Sequence, residues 1–327
     1  MLQSLARLGL LKDPSAARFD ALTGGVSSDI WKVEADGRCY CVKRALSRLK
    51  VEADWFAPLD RNLYEVAWYR IANDILPGSA PQILGHDSEA MLCAMEYLEP
   101  DAHPLWKAEL RDGRADPEIA SRVGSDLGRL HAGAAGNEAI ERQFPDHEIF
   151  QVIRLEPYLE ATADRHPELE AQLHALSRRT AATRLTMIHG DVSPKNILLG
   201  PNGPVFLDAE CACIGDPAFD LAFCLNHFLL KCLWTPAATD RFLDCYEAMA
   251  TSYLDAVDWE DRSGLEARAA SLLPGLFLAR VDGKSPVEYI TEENDKDRVR
   301  RCARPLLLDP PDRLETIAEA WRRELQR

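Results

Sequence analysis

Met187-Ile188-His189-Gly190-Asp191-Val192-Ser193-Pro194-Lys195-Asn196-Ile197-Leu198-Leu199 sets a polar turn between two apolar runs. A polar loop between strand-like segments is held by the interior while its side chains face a cleft. Shortly afterwards a further strand-like run, Val205-Phe206-Leu207, ends in Asp208-Ala209-Glu210. The two segments thus place three carboxylates (Asp191, Asp208, Glu210) and one carboxamide (Asn196) at strand ends. Hard oxygen ligands from few residues, with coordination positions left for water and phosphate, suit magnesium.

The spacing narrows the chemistry. Asp191 and Asn196 stand five apart, as in the kinase catalytic loop, where an aspartate accepts a hydroxyl proton and an asparagine holds magnesium. Asp208 stands where the metal-binding aspartate after that loop belongs. On these residues the chain resembles the aminoglycoside phosphotransferase and choline kinase superfamily, which carries His-Gly-Asp, then Asn, then Asp-x-[Glu/Asp/Gly]. The resemblance covers about residues 20 to 290.

It implies an α+β, protein-kinase-like fold of two lobes. Residues 1–98 would form an N-terminal, nucleotide-binding lobe, a small antiparallel β-sheet with one helix. Residues 99–327 would form a larger, mainly helical C-terminal lobe with the catalytic loop, metal site and acceptor site. It also implies ATP and Mg2+ as cofactors, and transfer of the γ-phosphoryl group to a hydroxyl of a small molecule: an aminoglycoside, an amino alcohol or a sugar-like compound. Asp191 is then the catalytic residue and Asn196 and Asp208 the metal ligands. Glu210 would support a second ion, as the Asp-x-Glu form suggests in choline and methylthioribose kinases.

Upstream, Leu22-Thr23-Gly24-Gly25-Val26-Ser27-Ser28-Asp29 leads into a hairpin, Ile30 to Lys43, with a turn at Asp36-Gly37. A Gly-Gly turn lets backbone approach phosphates closely, and small hydroxyls beside it can donate hydrogen bonds. Gly25, Ser27 and Ser28 resemble the short Gly-Gly-x-Ser loop of small-molecule kinases. Lys43, at the end of the following strand, is the candidate for contact with the α- and β-phosphates. Such a lysine needs an orienting carboxylate. A helix is expected over Asp60 to Asn73 with Asp60 as N-cap, and Glu65 is the chosen partner, with Glu52, Asp54 and Asp60 competing. A second hairpin is expected from Gln82-Ile83-Leu84-Gly85-His86-Asp87 and Ala90 to Leu98. In the resembled family its end is the hinge, where backbone groups at about Glu96 and Leu98 meet the adenine edge.

Downstream, Pro117 to Ala132 has helical periodicity, and His131 near its end reads as a packed structural histidine. Glu148 to Arg179 offers helices interrupted by Pro157 and Pro167. Ile214-Gly215-Asp216-Pro217-Ala218-Phe219-Asp220-Leu221 is a turn into a helix. Asp220 is expected to tether the catalytic loop from below, as in the resembled fold, and Asp216 either caps the helix or touches the acceptor. Residues 236 to 280 read as closing helices. Arg280 to Ile290 either lines the acceptor site or forms a helix-terminating turn.

Composition bounds the rest. With 327 residues, 46% hydrophobic and 28% charged, the chain can bury a full core. No apolar run approaches the ~20 residues of a membrane span, and Leu2 to Leu11 lacks a signal-peptide cleavage site. Nine cysteines without a disulfide pattern suit a cytoplasmic protein. Cys39-x-Cys41 and Cys211-x-Cys213 read as small hydrophobes, one-residue spacing being poor for zinc. A net charge of −15 argues against a nucleic-acid partner and is compatible with a cationic acceptor. Two other functions fit the motifs, a protein kinase and a nucleotide-binding pseudokinase regulator. Against the first, no Ala-Pro-Glu segment follows Asp208.

Overall fold

The structure, a computed structural model, describes residues 1–15, 17–22, 28–46 and 58–327. Gly25 and Ser27 of the glycine loop, and Glu52 and Asp54, lie outside the described residues.

Five strands form an antiparallel sheet in the order β1-β2-β3-β5-β4. They are β1 (Arg18–Leu22), β2 (Ser28–Ala35), β3 (Arg38–Ala45), β4 (Ile83–Asp87) and β5 (Leu92–Glu96). The β2–β3 hairpin turns through Asp36 (φ 52°) and Gly37 (φ 72°). Two left-handed residues make the tight turn whose twist matches that of paired strands. β1 was not expected as a strand; its five residues are read only by pairing with β2, Phe19 opposite Val33. The expected second hairpin forms as β4 and β5, but β5 also pairs with β3, setting Tyr40 opposite Glu96 and Lys43 opposite Cys93.

The helix Arg61–Ile75 buries Glu65, Trp68, Tyr69 and Ala72. Asp60 precedes it in helical conformation and makes no side-chain cap, contrary to expectation. The remainder is mainly helical. Pro117–Ala134 and Thr239–Asp255 pack together, as do Pro217–Trp234 and Arg262–Asp282, and Glu293–Leu308 and Leu314–Leu325 close the chain. Pro157 does not break its helix. It sits in a π-helical segment, Gln151–Glu160, whose wider turns accommodate the missing N–H. Among the described residues no helix is long and apolar enough to cross a membrane.

Four short strands carry the two motifs. β6 (Thr186–Ile188) pairs with β9 (Cys213–Gly215), and β7 (Ile197–Gly200) pairs with β8 (Gly203–Phe206). This nesting is decisive. Because the inner pair lies between the outer pair in sequence, the loop leaving β6 and the loop leaving β8 run side by side.

Candidate active site

The loop from His189 to Asn196 is fixed from beneath. Asp220, fully buried on the helix Pro217–Trp234, accepts the peptide N–H groups of His189 (2.7 Å) and Gly190 (2.8 Å). His131 sets Asp220 in turn, at 3.3 Å, and is itself held by the Tyr253 hydroxyl at 2.8 Å. It is a packed histidine, as its helical context suggested. His189 accepts the Asp191 N–H at Nδ1 (3.1 Å), so its Nε2–H donates to the Leu207 carbonyl (3.0 Å) and ties this loop to the next. Burial keeps its pKa below the ordinary histidine value.

Asp191 is buried, and its Oδ2 accepts from Asn196 Nδ2 (2.8 Å) and Lys195 Nζ (3.0 Å) and pairs with Arg154 Nη2 (2.7 Å). Oδ1 is buried with no partner among the described residues. Burial opposes the charge, but the Arg154 guanidinium and the Lys195 ammonium outweigh it and hold the carboxyl below its usual range. A carboxylate with one oxygen anchored and the other without a protein partner has the capacity to accept one further hydrogen bond.

Asn196 spends its amide nitrogen on Asp191, which leaves Oδ1, its hard oxygen, outside that bond. Its carbonyl accepts the Leu207 N–H at 2.8 Å and brings Asp208 alongside. Asp208 has φ 67°, a left-handed backbone uncommon outside glycine. Its N–H donates to the Tyr69 hydroxyl (2.7 Å) and its Oδ1 accepts from Lys43 (2.5 Å), which together fix that geometry. Burial opposes ionisation of Asp208 too, yet Lys43 and Lys195 hold its pKa well below the usual range.

Lys43 is the hub. Its ammonium, on β3, meets Glu65 Oε1 at 2.7 Å, Glu210 Oε1 at 2.8 Å and Asp208 Oδ1. Three carboxylates on one ammonium are an excess of negative charge. Burial and the other two acids push Glu65 up to about 7, although Lys43 opposes this. Open oxygens on Asn196 and Asp208, beside surplus negative charge, fit a hard divalent cation that takes its other ligands from phosphate and water. Glu210 does not share that freedom. Its Oε1 also accepts from Ser28 Oγ (2.8 Å), and its Oε2 pairs with Arg61 Nε (3.2 Å), so both oxygens are engaged. Among the described residues no group of three or more His, Cys, Asp or Glu side chains is arranged to hold a metal ion.

On β5, the Glu96 N–H is taken by the Gln82 carbonyl at 2.9 Å and its side chain by the Gln82 N–H. Leu98 follows the strand. Asp216 accepts the Ala218 N–H (3.0 Å) as helix N-cap and pairs with Arg268. Arg280 bonds the Ser285 carbonyl and Gly283 ends its helix, so the Arg280–Ile290 segment contains the helix-terminating turn. All nine cysteines are free; Cys211 and Cys213 are buried but Cys39 is exposed, against the expectation for that pair.

Sequence reading passed over Arg154, Tyr69 and Arg61. Only the spacing of Tyr69 from Glu65, one helical turn, offered a signal: the Tyr69 hydroxyl donates to Glu65 Oε1 (3.0 Å) while holding Asp208. Arg154 and Arg61 reach their partners across the fold and carry no local pattern.

Known proteins share this architecture. The model of the phosphotransferase enzyme family matches residues 18–265. Methylthioribose kinase of Yersinia pseudotuberculosis serotype O:3 is 23% identical over 254 residues, covering 69% of this chain and 62% of that protein. The Escherichia coli O45:K1 methylthioribose kinase is 27% identical over 249 residues, 66% and 58% respectively. The chain thus spans about three fifths of the length of these relatives. Among solved structures, a choline/ethanolamine kinase family protein from Mesorhizobium loti superposes with TM-score 0.56 at 16% identity, over 98% of this chain and 99% of that one. Amicoumacin kinase hAmiN superposes equally well, TM-score 0.56 at 14% identity, over 95% and 94%. These likenesses establish the protein-kinase-like fold, and with the matched stretch from β1 into the Arg262–Asp282 helix the chain belongs to the phosphotransferase enzyme family.

Proposed function

We propose that the protein transfers the γ-phosphoryl group of ATP to a hydroxyl of a small molecule. One observation carries this: the anchored Asp191, with its open Oδ1, lies beside Asn196 and Asp208 in a cluster tied to Lys43. Asp191 Oδ1 orients the acceptor hydroxyl and takes its proton. Asn196 Oδ1 and Asp208 hold magnesium, which when bound neutralises and orients phosphate oxygens. Lys43, aligned by Glu65, steadies the α- and β-phosphates with the glycine-loop residues Gly25, Ser27 and Ser28, and backbone groups at Glu96 and Leu98 meet the adenine. For Glu210 the geometry supports an ion-pair role with Lys43 and Arg61 in place of a second ion. Little covalent work falls to the protein, so positioning and charge stabilisation dominate.

ATP use is supported by the fold's likeness to the amicoumacin kinase, which was solved with AMP-PNP and Ca2+. We take residues 1–98 as the nucleotide-binding lobe and 99–327 as the catalytic lobe, and the unpaired thiols support a cytoplasmic setting. The relatives named methylthioribose kinase support a sugar-like acceptor as one class. A cationic acceptor, compatible with the net charge, is not supported by the side chains beyond Asp191. A peptide acceptor is disfavoured because β9 and the helix at Pro217 follow Asp208 at once, without room for a peptide-docking segment.

Asp191→Ala and Asp208→Ala are each expected to lower turnover at least ~10²-fold, the scale of losing one preorganised group. The assay follows ATP consumption and phosphorylated product across aminoglycosides, amino alcohols, thiosugars, sugar acids and peptides. Retained turnover in either purified variant overturns the assignment.

A further inference from the structure

Burying a charge is costly unless it is paired. Among the described residues four Lys and Arg side chains are buried: Lys43, Arg61, Lys231 and Arg280. Lys43 and Arg61 have carboxylates at 2.5 to 3.2 Å. Lys231, 1% exposed, and Arg280, 8% exposed, form no ion pair among the described residues. Among the described residues Arg280 Nη1 binds neutral oxygens, Tyr158 Oη at 2.8 Å and those of Ser285, and its Nε has no partner. The Lys231 ammonium donates no hydrogen bond among the described residues and lies over the Trp234 ring (4.6 Å) and the Tyr289 ring (5.1 Å). His227 Nε2 and the Tyr289 hydroxyl are also buried and unpartnered. Glu288, the acid whose charge reaches Lys231, is paired with Lys107 and is largely exposed.

These groups adjoin the candidate site. Phe223, His227 and Lys231 recur every fourth residue on one face of the Pro217–Trp234 helix. The Arg154 guanidinium, bound to Asp191, lies 5.8 Å from the Phe223 ring, and Phe223 lies 5.8 Å from His227. Tyr158, which Arg280 bonds, packs 5.3 Å from Phe223. Arg154 and Tyr158 therefore separate Asp191 from Arg280, and Lys231 follows one helical turn beyond His227 on the face that carries Phe223. Burial first, then the charges of Arg280, Lys231, Lys195 and Lys107, hold His227 well below its ordinary range. Burial, with Lys107 adding, pushes Lys231 down to about 7.

A bound anion would supply the missing partner. A cationic ligand would not fit: Trp234 and Tyr289 stack at 4.2 Å in the manner of an ammonium site, but the protein's own lysine lies over both rings. We propose that the acceptor is an anionic hydroxy compound, with Lys231, His227 and Arg280 forming the subsite for its carboxylate or phosphate group. This rests on the phosphotransferase reading for the role of Asp191 and adds the charge of the substrate.

The test uses four probes of one skeleton with the full chain: D-gluconate, glucose 6-phosphate, glucose and glucosamine. Binding is measured by calorimetry without ATP, and phosphorylation is measured separately with ATP and magnesium. Gluconate or glucose 6-phosphate is expected to bind more tightly than glucose or glucosamine, and which anion is preferred identifies the headgroup. Lys231→Met should weaken that binding at least ~10-fold, the scale of a lost charge-assisted hydrogen bond. Lys231→Arg, which keeps the charge, should restore most of it, and circular dichroism of both variants reports the fold. Anion binding that depends on Lys231 with no probe phosphorylated upholds the subsite and counts against the phosphotransferase reading. Phosphorylation of glucose or glucosamine in preference to the anions, insensitive to Lys231→Met, overturns the subsite and leaves that reading intact. Absence of anion binding at millimolar concentration overturns the subsite as well.

Discussion

Arg154 Nη2 lies 2.7 Å from Asp191 Oδ2, and the same guanidinium donates through Nε to the Gly190 carbonyl at 2.7 Å. One side chain thus grips both the proposed catalytic carboxylate and the backbone next to it. On the proposed reading Arg154 is a positioning residue, set on the π-helical segment that contains Pro157. Arg154→Met should lower kcat by ~10- to 100-fold, a misplacement effect, while KM for ATP stays within a few-fold. Arg154→Lys should recover part of kcat. Equal losses in kcat and ATP affinity, with no lysine rescue, would make the role merely structural.

Gly190 takes φ 75°, and a Cβ there would meet Cys211 Cβ and the Cys211 carbonyl oxygen at 2.7 Å. A left-handed alanine and a backbone clash together should cost about 3 kcal/mol. Gly190→Ala is expected to melt several degrees below the wild type. An unchanged melting temperature would show that the two loops are less tightly apposed than described.

Asp220 satisfies two loop N–H groups, those of His189 and Gly190. Asp220→Ala leaves both donors buried, at ~1–3 kcal/mol each. Denaturant unfolding should show a clear loss of stability. Native-state hydrogen exchange should show the His189 and Gly190 amides losing protection before the rest of the core.

Lys231 gives stability a pH dependence of definite sign. Its pKa is about 7 when folded, against an ordinary 10.5. Between these values the unfolded chain holds a proton that the folded chain has released, so stability rises with pH across that window. Lys231→Met should abolish this rise. Parallel pH–stability curves for the two proteins above neutrality would contradict the buried, unpaired state of the lysine.

Lys43 is surrounded by Glu65, Asp208 and Glu210. Lys43→Met should weaken ATP binding at least ~10-fold, since a phosphate contact is a charge-assisted bond. Equilibrium binding of a non-hydrolysable ATP analogue measures this. Removing the ammonium also takes away the cation that the three acids share, leaving Glu210 with Arg61, so the variant should be less stable at neutral pH than under mildly acidic conditions.

The sequence by itself determined the parts whose physics is local. The Asp36-Gly37 turn needs two left-handed residues, which that pair supplies, so the β2–β3 hairpin was legible. Asp216-Pro217 is a cap followed by a first-turn proline, and it starts its helix as read. The five-residue step from Asp191 to Asn196 let the amide of one reach the carboxylate of the other, and it pointed to the family to which the chain belongs.

What only the tertiary structure decided involves partners distant in sequence. Insertion of β5 between β3 and β4, the grip of Arg154 on Asp191 and the capture of Glu210 by Arg61 leave no periodic trace. A long side chain can reach any partner the fold brings near, so its role is set by three-dimensional neighbours. The charge of the acceptor subsite follows the same logic. The chain is acidic as a whole, yet Lys231 and Arg280 are buried without an ion pair among the described residues. Net charge sums over the surface, whereas a ligand meets only the few groups that folding gathers around it.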